Sequence, residues 1–184
     1  MRADALGLPI TLDLEGARAL LIGPDDDERK RKQLLLEDAG AALELIAPSD
    51  FSDDKIAGAK LVMVSARDTD LAERVAVAAR AAGALVWCSD APAHSDFAMP
   101  AIARLGGARI AVSTGGGAPA LAKRMREQLE AALDNPQFRR FVDELAEMRR
   151  ELEASDSDTR RELLTQAIAE FELLLSVRYP DWLK

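Results

Sequence analysis

The chain has 184 residues, of which 48% are hydrophobic, 30% charged and only 4% aromatic, and its formal net charge is −8. This composition is typical of a soluble globular protein, and the acidic balance argues against broad nucleic-acid binding, which needs a basic surface. No apolar run approaches the roughly 20 residues of a membrane-spanning helix. Met1–Leu8 lacks the basic-then-apolar layout of a signal peptide. We therefore expect a cytoplasmic protein without a membrane partner.

The chain has a single cysteine, Cys88, and a single histidine, His94. An internal disulfide and a His/Cys zinc cage are both excluded, so any metal handled here is bound by oxygen ligands or is a passing substrate, and no metal-binding residue is predicted. His94 is interpreted as a surface loop residue. Cys88 is interpreted as a packing residue at a strand end, because no neighbouring feature of the sequence would lower its pKa.

In the first 112 residues, short apolar runs alternate with helical stretches. Strands are predicted over 17–22, 42–47, 60–65, 84–88 and 109–112, and helices over about 28–39 and 71–82. Glycines stand where several of these elements end. Alternation at this spacing predicts an α/β fold with a Rossmann-like, mostly parallel sheet.

After Val112 the pattern becomes helical. Helices are predicted over 119–133, over about 137–153, and from a capping box of Thr159 and Glu162 to near Arg178. Each helix has an apolar stripe, and this region is too thin to bury its stripes alone. We expect it to pack on the sheet domain or on a second subunit.

The loop after the first strand, Gly23–Glu28 (GPDDDE), lies where a dinucleotide-binding fold has its glycine fingerprint. It has one glycine and four acidic residues, and these acids would repel a diphosphate. Carboxylates in a first helical turn are favourable, and Pro24 suits the first helical position, so a well-capped helix explains the loop without a ligand. Dinucleotide binding stays open as the alternative.

The loop Ser113–Pro119 (STGGGAP) enters a helix that carries cations at Lys123, Arg124 and Arg126. Two hydroxyls, flexible backbone N–H groups and a helix N-terminus favour a carboxylate or a phosphate. A turn that needs glycine for its backbone angles explains the loop equally well. The candidate substrate-binding residues are Ser113, Thr114, Gly115, Gly116 and Lys123.

Asp90 follows the fourth predicted strand in the motif Ser89–Pro92 (SDAP). Open α/β sheets bind ligands beyond the carboxyl ends of their strands, so Asp90 is placed to act as a base. An aspartate before a turn is also a common capping residue.

Together, SDAP, Asp96–Ala101 (DFAMPA) and the stretch AVSTGGGAPALAKRMREQLE resemble the precorrin-2 dehydrogenase/sirohydrochlorin ferrochelatase family, which includes the N-terminal part of sirohaem synthase. The resemblance runs from about Leu8 to Leu133. It implies a Rossmann-like NAD-type domain over 1–112, a dimerisation region over 113–136 and a helical C-terminal region over 137–184. The implied assembly is a homodimer.

The resemblance also implies the chemistry. A tetrapyrrole substrate, precorrin-2, would be oxidised to sirohydrochlorin with NAD as hydride acceptor, and Fe²⁺ would be a substrate metal in bifunctional members. Asp90 falls on the family's catalytic aspartate, and Ser113 and Thr114 fall on a hydroxyl pair that lines the tetrapyrrole site. The candidate cofactor-binding residues are Gly23, Pro24, Pro48 and Ala66.

This chain departs from the family pattern on the cofactor side. GPDDDE replaces a glycine-rich loop, Ala66 replaces a threonine, and Ala72 replaces a frequent asparagine. The loop predicts weak or absent NAD binding, so either the dinucleotide binds through other contacts or the redox step is lost. The alternatives are a chelatase without redox activity, a non-catalytic tetrapyrrole carrier and, least favoured by the loop, a nucleotide-sensing module.

Overall fold

A parallel sheet of four strands forms the centre of the N-terminal half. The computed structural model describes residues 7–183; the first six residues, which belong to the stretch used above to argue against a signal peptide, lie outside this range. The sheet has the order β2-β1-β3-β4. Its strands are β1 (Arg18–Ile22), β2 (Ala42–Ile46), β3 (Leu61–Val64) and β4 (Leu85–Cys88).

Helices α1 (Asp27–Asp38) and α2 (Thr69–Ala81) follow β1 and β3. Short 3-10 turns occupy Pro48–Asp50, Asp53–Ile56 and Pro92–His94. The predicted Rossmann-like fold is confirmed, with each predicted strand and helix of this half found within two residues of its expected bounds. None of the helices formed by residues 7–183 is both long enough and apolar enough to cross a membrane.

The central strands β1 and β3 are buried on both faces, which explains their unbroken apolar sequences. In β1, Leu20 and Ile22 join the cluster that α2 covers, whereas Ala19 and Leu21 join the opposite cluster with Leu36 of α1. All four β1 residues are fully buried. Burying a leucine or isoleucine contributes about 1.5–3 kcal/mol, so this short strand is a main source of stability.

The fifth predicted strand is found, but its place in the parallel sheet is wrong. Strand β6 (Ala108–Val112) pairs antiparallel with β5 (Ala101–Leu105), a strand that the sequence analysis missed, in a separate two-stranded sheet. Gly106 has φ +65° in the two-residue turn between them, a conformation that favours glycine. The Gly106–Gly107 pair was the hairpin signal in the sequence.

The C-terminal helices are α3 (Pro119–Leu133), α4 (Pro136–Glu151) and α5 (Ser157–Ala167). The first two match their predicted spans. The predicted capping box of α5 is wrong, because Asp156 is the N-cap and accepts from the backbone N–H groups of Asp158 and Thr159. Its predicted end near Arg178 is also wrong. Residues 169–180 are exposed. Phe171 stacks on Phe141, but the contact of one ring does not supply the packing that stabilises most helices in water.

The chain divides into two compact units. One contains the chain up to Pro100 together with Ser113–Pro119, and the other contains Ala101–Val112 and Ala120–Lys184. This division differs from a boundary at residue 112, because the hairpin of β5 and β6 makes no ladder with the parallel sheet. The loop that carries Ser113 and Thr114 belongs to the sheet unit, whereas Lys123 belongs to the helical unit.

Candidate functional site at the carboxyl edge of the sheet

Asp90 stands in a tight turn directly after β4. The backbone N–H of Ala91 donates to the carbonyl of Cys88, and Asp90 has φ +56°, the only positive φ of a non-glycine residue in the described part of the chain. The left-handed region costs most residues about 1–2 kcal/mol and is tolerated best by aspartate and asparagine. A cost of this kind at a strand end is typical of functional positions.

The carboxylate of Asp90 faces a cation from the neighbouring strand end. Arg67, three residues after β3, places its Nε 3.1 Å from Asp90 Oδ2. Both side chains are open to solvent, at 83% exposed for Arg67 and 68% for Asp90. An exposed ion pair of this kind contributes little to stability, so both groups are available to a ligand.

The loop that carries Asp90 is fixed at both ends. Ser89 N–H donates to the carbonyl of Val64 at 2.8 Å, and Asp96 N–H donates to the carbonyl of Val86 at 2.8 Å. The Asp96 carboxylate also accepts from Val86 N–H at 3.0 Å and from Arg80 Nε at 2.8 Å. Asp96, part of the DFAMPA motif, therefore holds the loop on the sheet edge.

Gly23 leaves β1 at the same edge, and its lack of a side chain is a packing requirement. A Cβ at this position would overlap Ser65 Oγ and lie 3.2 Å from Ser65 Cβ and 3.4 Å from the backbone N of Ala66. Ser65 is 3% exposed, and its hydroxyl has no hydrogen-bond partner among the residues that the structure describes. Gly23 and Ala66, both cofactor candidates, are thus brought together here.

Two acidic residues of the first loop, Asp25 and Asp26, are held by groups of Arg29 in α1. Asp26, the N-cap of α1, accepts from Arg29 N–H at 2.8 Å. The Arg29 guanidinium lies 2.7 Å from Asp25 and donates to the Gly23 carbonyl at 3.3 Å. The hydrogen bond from Arg29 to the Asp25 carboxylate holds the pKa of Asp25 below its usual value. The predicted first helical position for Pro24 is wrong, because Pro24 lies two residues before the N-cap.

Glu28 completes this pattern in the first turn of α1. Its burial alone would raise its pKa, but the hydrogen bond from Arg31 and the charge of Lys32 outweigh burial, so the pKa of Glu28 is lowered. Arg29 pairs with Asp25, and Arg31 and Lys32 both pair with Glu28.

A dinucleotide's diphosphate does not fit the groups present at this loop. In folds of this kind the N–H groups of the first helical turn hold the diphosphate. Here the Asp26 carboxylate accepts from one of those groups, and Asp27 adds a further negative charge in the same turn. An incoming diphosphate would displace a charge-assisted hydrogen bond and meet like charges.

The loop after β6 has the geometry of a glycine-dependent turn. Gly115 and Gly116 have φ +63° and +87°. Thr114 Oγ1 accepts from Ala118 N–H at 3.1 Å, and Ser113 Oγ accepts from Gly115 N–H at 3.3 Å. Both interpretations of this loop stay open, because each hydroxyl orders the turn with an acceptor lone pair and keeps its own proton for a ligand.

The remaining candidates have less to support them. Pro48 opens the 3-10 turn after β2, at the same sheet edge as Gly23. Lys123 is 72% exposed, with its Nζ 4.0 Å from Glu127 of the same helix.

Cys88 is buried, as expected, and burial raises the pKa of its thiol to about 11, which leaves it inert. Nowhere in residues 7–183 do three or more His, Cys, Asp or Glu side chains gather to hold a metal ion.

Comparison with known proteins decides the family. The family described as putative NAD(P)-binding matches residues 10–101, half of the chain. The chain belongs to this family. The family described as sirohaem biosynthesis protein central matches residues 109–132, which contain the STGGG loop and most of α3.

Siroheme synthases are similar to this chain over most of its length. The enzyme of Nitrosococcus oceani is 33% identical over 145 residues, covering 68% of this chain and 31% of the relative. The enzyme of Gluconobacter oxydans is 34% identical over 153 residues, covering 71% and 32%. The chain spans about a third of the length of these relatives. The resemblance inferred from the sequence motifs is confirmed.

A solved structure supports the fold. The protein titled SirC, precorrin-2 dehydrogenase, matches with a TM-score of 0.67 over 89% of this chain and 90% of its own, at 20% identity. At this identity the match establishes the shared fold.

Three features of the site were missed from the sequence. Arg67 was not predicted as a site residue, although its place three residues after a buried strand was an available signal. The hydrogen bond by which Arg29 closes the first loop on the Gly23 carbonyl was not predicted either. Ser65 packs against Gly23 between the ends of two strands that are distant in the sequence, so no local sequence pattern predicts the contact.

Proposed function

We propose that this chain acts in the cytoplasm in sirohaem biosynthesis, at the precorrin-2/sirohydrochlorin stage, with a tetrapyrrole as its substrate and Asp90 as its proton acceptor. The observation that carries this proposal is the Asp90 turn. A carboxylate is held in left-handed backbone geometry at the carboxyl edge of the sheet, open to solvent and beside Arg67. A carrier without catalysis would have no need of a base there.

The chemistry that fits this site best is proton removal. When Fe²⁺ enters a tetrapyrrole as substrate, it replaces two protons on ring nitrogens, and a carboxylate accepts a proton released in this step. Arg67 is placed to bind a carboxylate of the substrate by its planar guanidinium. Ser113 and Thr114 are proposed as further contacts to the tetrapyrrole, with Gly115, Gly116 and Lys123 as the neighbouring candidates.

NAD-dependent oxidation of precorrin-2 is the second candidate function. It is favoured by the putative NAD(P)-binding family match over residues 10–101. It is opposed by the acidic first loop, in which Asp26 accepts from a backbone N–H that a diphosphate would need and Asp25 pairs with the Arg29 guanidinium. Gly23, Pro24, Pro48 and Ala66 would be the contacts to NAD in this case.

An anaerobic assay with absorbance spectra separates these functions. Precorrin-2 is incubated with the purified chain, with and without NAD, and sirohydrochlorin is incubated with the chain and Fe²⁺. We expect a sirohaem spectrum in the Fe²⁺ sample, at a rate above the protein-free control. Conversion of precorrin-2 only with NAD would favour the second candidate. Binding without conversion in any sample would favour a carrier, and neither binding nor conversion would contradict the proposal.

We also propose that the chain is a homodimer in which residues 113–136 contribute to the interface. Several large apolar side chains of the helical unit are exposed, among them Leu121, Met125, Leu163, Phe171 and Trp182. Exposed apolar surface of this extent is typical of an interaction site. Light scattering at micromolar concentration should give twice the mass of the chain, and a monomer would contradict the dimer.

A further inference from the structure

Three arginines from two helices line one cavity in the helical unit. Arg149 lies in the last turn of α4, and Arg160 and Arg161 lie in α5. The cavity has a volume of about 360 Å³, and the hydroxyl residues Ser157 and Thr165 also line it. A cluster of three guanidinium groups is unexpected in a chain with a net charge of −8.

Arg161 is the one arginine of this cluster with a carboxylate partner among the residues that the structure describes. Among residues 7–183, neither Arg149 nor Arg160 has a carboxylate oxygen within 4.0 Å that the structure records. Arg160 Nη2 donates to the carbonyl of Ser155 at 3.0 Å, and its buried Nε has no hydrogen-bond partner in the part of the chain that the structure describes. Arg161 lies 3.5 Å from Asp158, with both side chains at least 80% exposed. That contact is weak enough to give way to a ligand.

The wall of the cavity indicates the class of ligand. Guanidinium groups bind carboxylates and phosphates through paired N–H donors, so the cluster selects an oxyanion with more than one negative charge. Leu164 and Ile168 add an apolar part to the wall. An organic polycarboxylate can contact the arginines through its carboxylates and the apolar wall through its carbon chain, whereas inorganic phosphate can contact only the arginines.

We propose that this cavity, lined by Arg149, Arg160 and Arg161, is a binding site for a small organic polycarboxylate. The site lies wholly within the helical unit and involves none of the residues proposed for tetrapyrrole chemistry. The proposed binding site can therefore be tested independently of the proposed function. A volume of about 360 Å³ admits a tricarboxylate.

Calorimetric titration of the full chain with tricarballylate tests the proposal, with inorganic phosphate as the second titrant. We expect tricarballylate to bind in roughly the submillimolar range and phosphate at least about tenfold more weakly. Because the contacts are ionic, raising the salt concentration should weaken binding. No binding of tricarballylate, or equally tight binding of phosphate, would overturn the assignment.

Single substitutions locate the site. Arg149→Gln, Arg160→Gln and Arg161→Gln should each weaken tricarballylate binding about tenfold or more, because each removes a charge-assisted hydrogen bond. Arg140→Gln is the matched control, since Arg140 lies on α4, is 80% exposed and pairs with Glu144. It should leave binding unchanged. The exposed Arg149 and Arg161 variants keep the test valid if loss of the Arg160 bond to Ser155 impairs folding. Equal binding in all four variants would overturn the proposal.

Discussion

Two loops at the same edge of the parallel sheet differ in how their charges are used. After β1, the acidic residues are engaged within the loop, with Asp26 capping α1 and Arg29 joined to both Asp25 and the Gly23 carbonyl. After β4, the Asp90 carboxylate projects into solvent with one exposed partner, Arg67. In the first loop, Asp25 and Asp26 are already paired with Arg29, whereas the second loop retains groups that a ligand can use.

This difference separates the two halves of the family's expected site. A parallel sheet brings all its strand ends to one edge, but position alone does not make a loop a binding site. The helix N-terminus after β1 can no longer hold a diphosphate with all of its backbone N–H groups, because the Asp26 carboxylate already accepts from one of them. The Asp90 turn remains suited to binding a ligand, because its strain lies in the left-handed backbone and the carboxylate stays exposed to solvent.

Asp90→Asn should have the largest effect. Asparagine tolerates the left-handed backbone, so the fold should be preserved, but its amide cannot accept a proton near neutral pH. We expect the rate of Fe²⁺ insertion into sirohydrochlorin to fall by about 10²–10⁴-fold, with tetrapyrrole binding retained. Initial rates and absorbance titration measure the two quantities.

The control for this substitution is Asp70→Asn. Asp70 is an exposed carboxylate in the first turn of α2 and takes no part in the Arg67–Asp90 ion pair, so the variant makes the same change in charge. It should keep the full rate. A fully active Asp90→Asn variant would contradict the role of Asp90 as proton acceptor.

The first loop predicts weak NAD binding. Two like charges about 4 Å apart repel by roughly 4 kcal/mol at an effective dielectric constant near 20, which corresponds to about a thousandfold in affinity. Calorimetry should therefore show no binding at micromolar NAD. The double variant Asp26→Asn/Asp27→Asn should bind NAD more tightly, because asparagine still caps the helix while both charges are removed.

A charge-matched variant controls for net charge. Glu37→Gln/Asp38→Asn removes two negative charges at the other end of α1 and should leave NAD binding unchanged. A dissociation constant in the low micromolar range for the unmodified chain would show that Asp25–Glu28 do not block the diphosphate.

Gly23→Ala tests whether the first loop is closed by packing. The added Cβ would overlap Ser65 Oγ and lie 3.2 Å from Ser65 Cβ. We expect a loss of about 1–3 kcal/mol in the free energy of unfolding, measured by urea denaturation. Gly7→Ala, where an added Cβ meets nothing within 4 Å, is the control. Ser65→Ala in the Gly23→Ala background should restore part of the loss, and equal stabilities would contradict this packing.

Sequence patterns predicted the parallel sheet well because its strands are buried runs separated by glycine or polar turns. The span of α3 was also correct. The β5–β6 hairpin was misplaced because a lone strand pattern does not show which partner it pairs with, and α5 was overextended because an apolar tail resembles a helix stripe. The Arg67–Asp90 pair joins residues 23 positions apart, and such contacts depend on strand order rather than on local sequence.

The smallest effect concerns the pKa of Asp25. The hydrogen bond from Arg29, aided by the charges of Arg29 and Lys30, holds this pKa below its usual value. The contact therefore contributes stability above pH about 4, which is lost as the pH falls through the lowered pKa. Arg29→Gln should raise the pKa of Asp25 toward its usual value, as measured by carboxyl NMR titration. Arg31→Gln, which removes the partner of Glu28 instead, should leave it unchanged. If both variants leave the pKa of Asp25 unchanged, Arg29 is not bound to Asp25 in solution, and the first loop is as open to a ligand as the Asp90 turn.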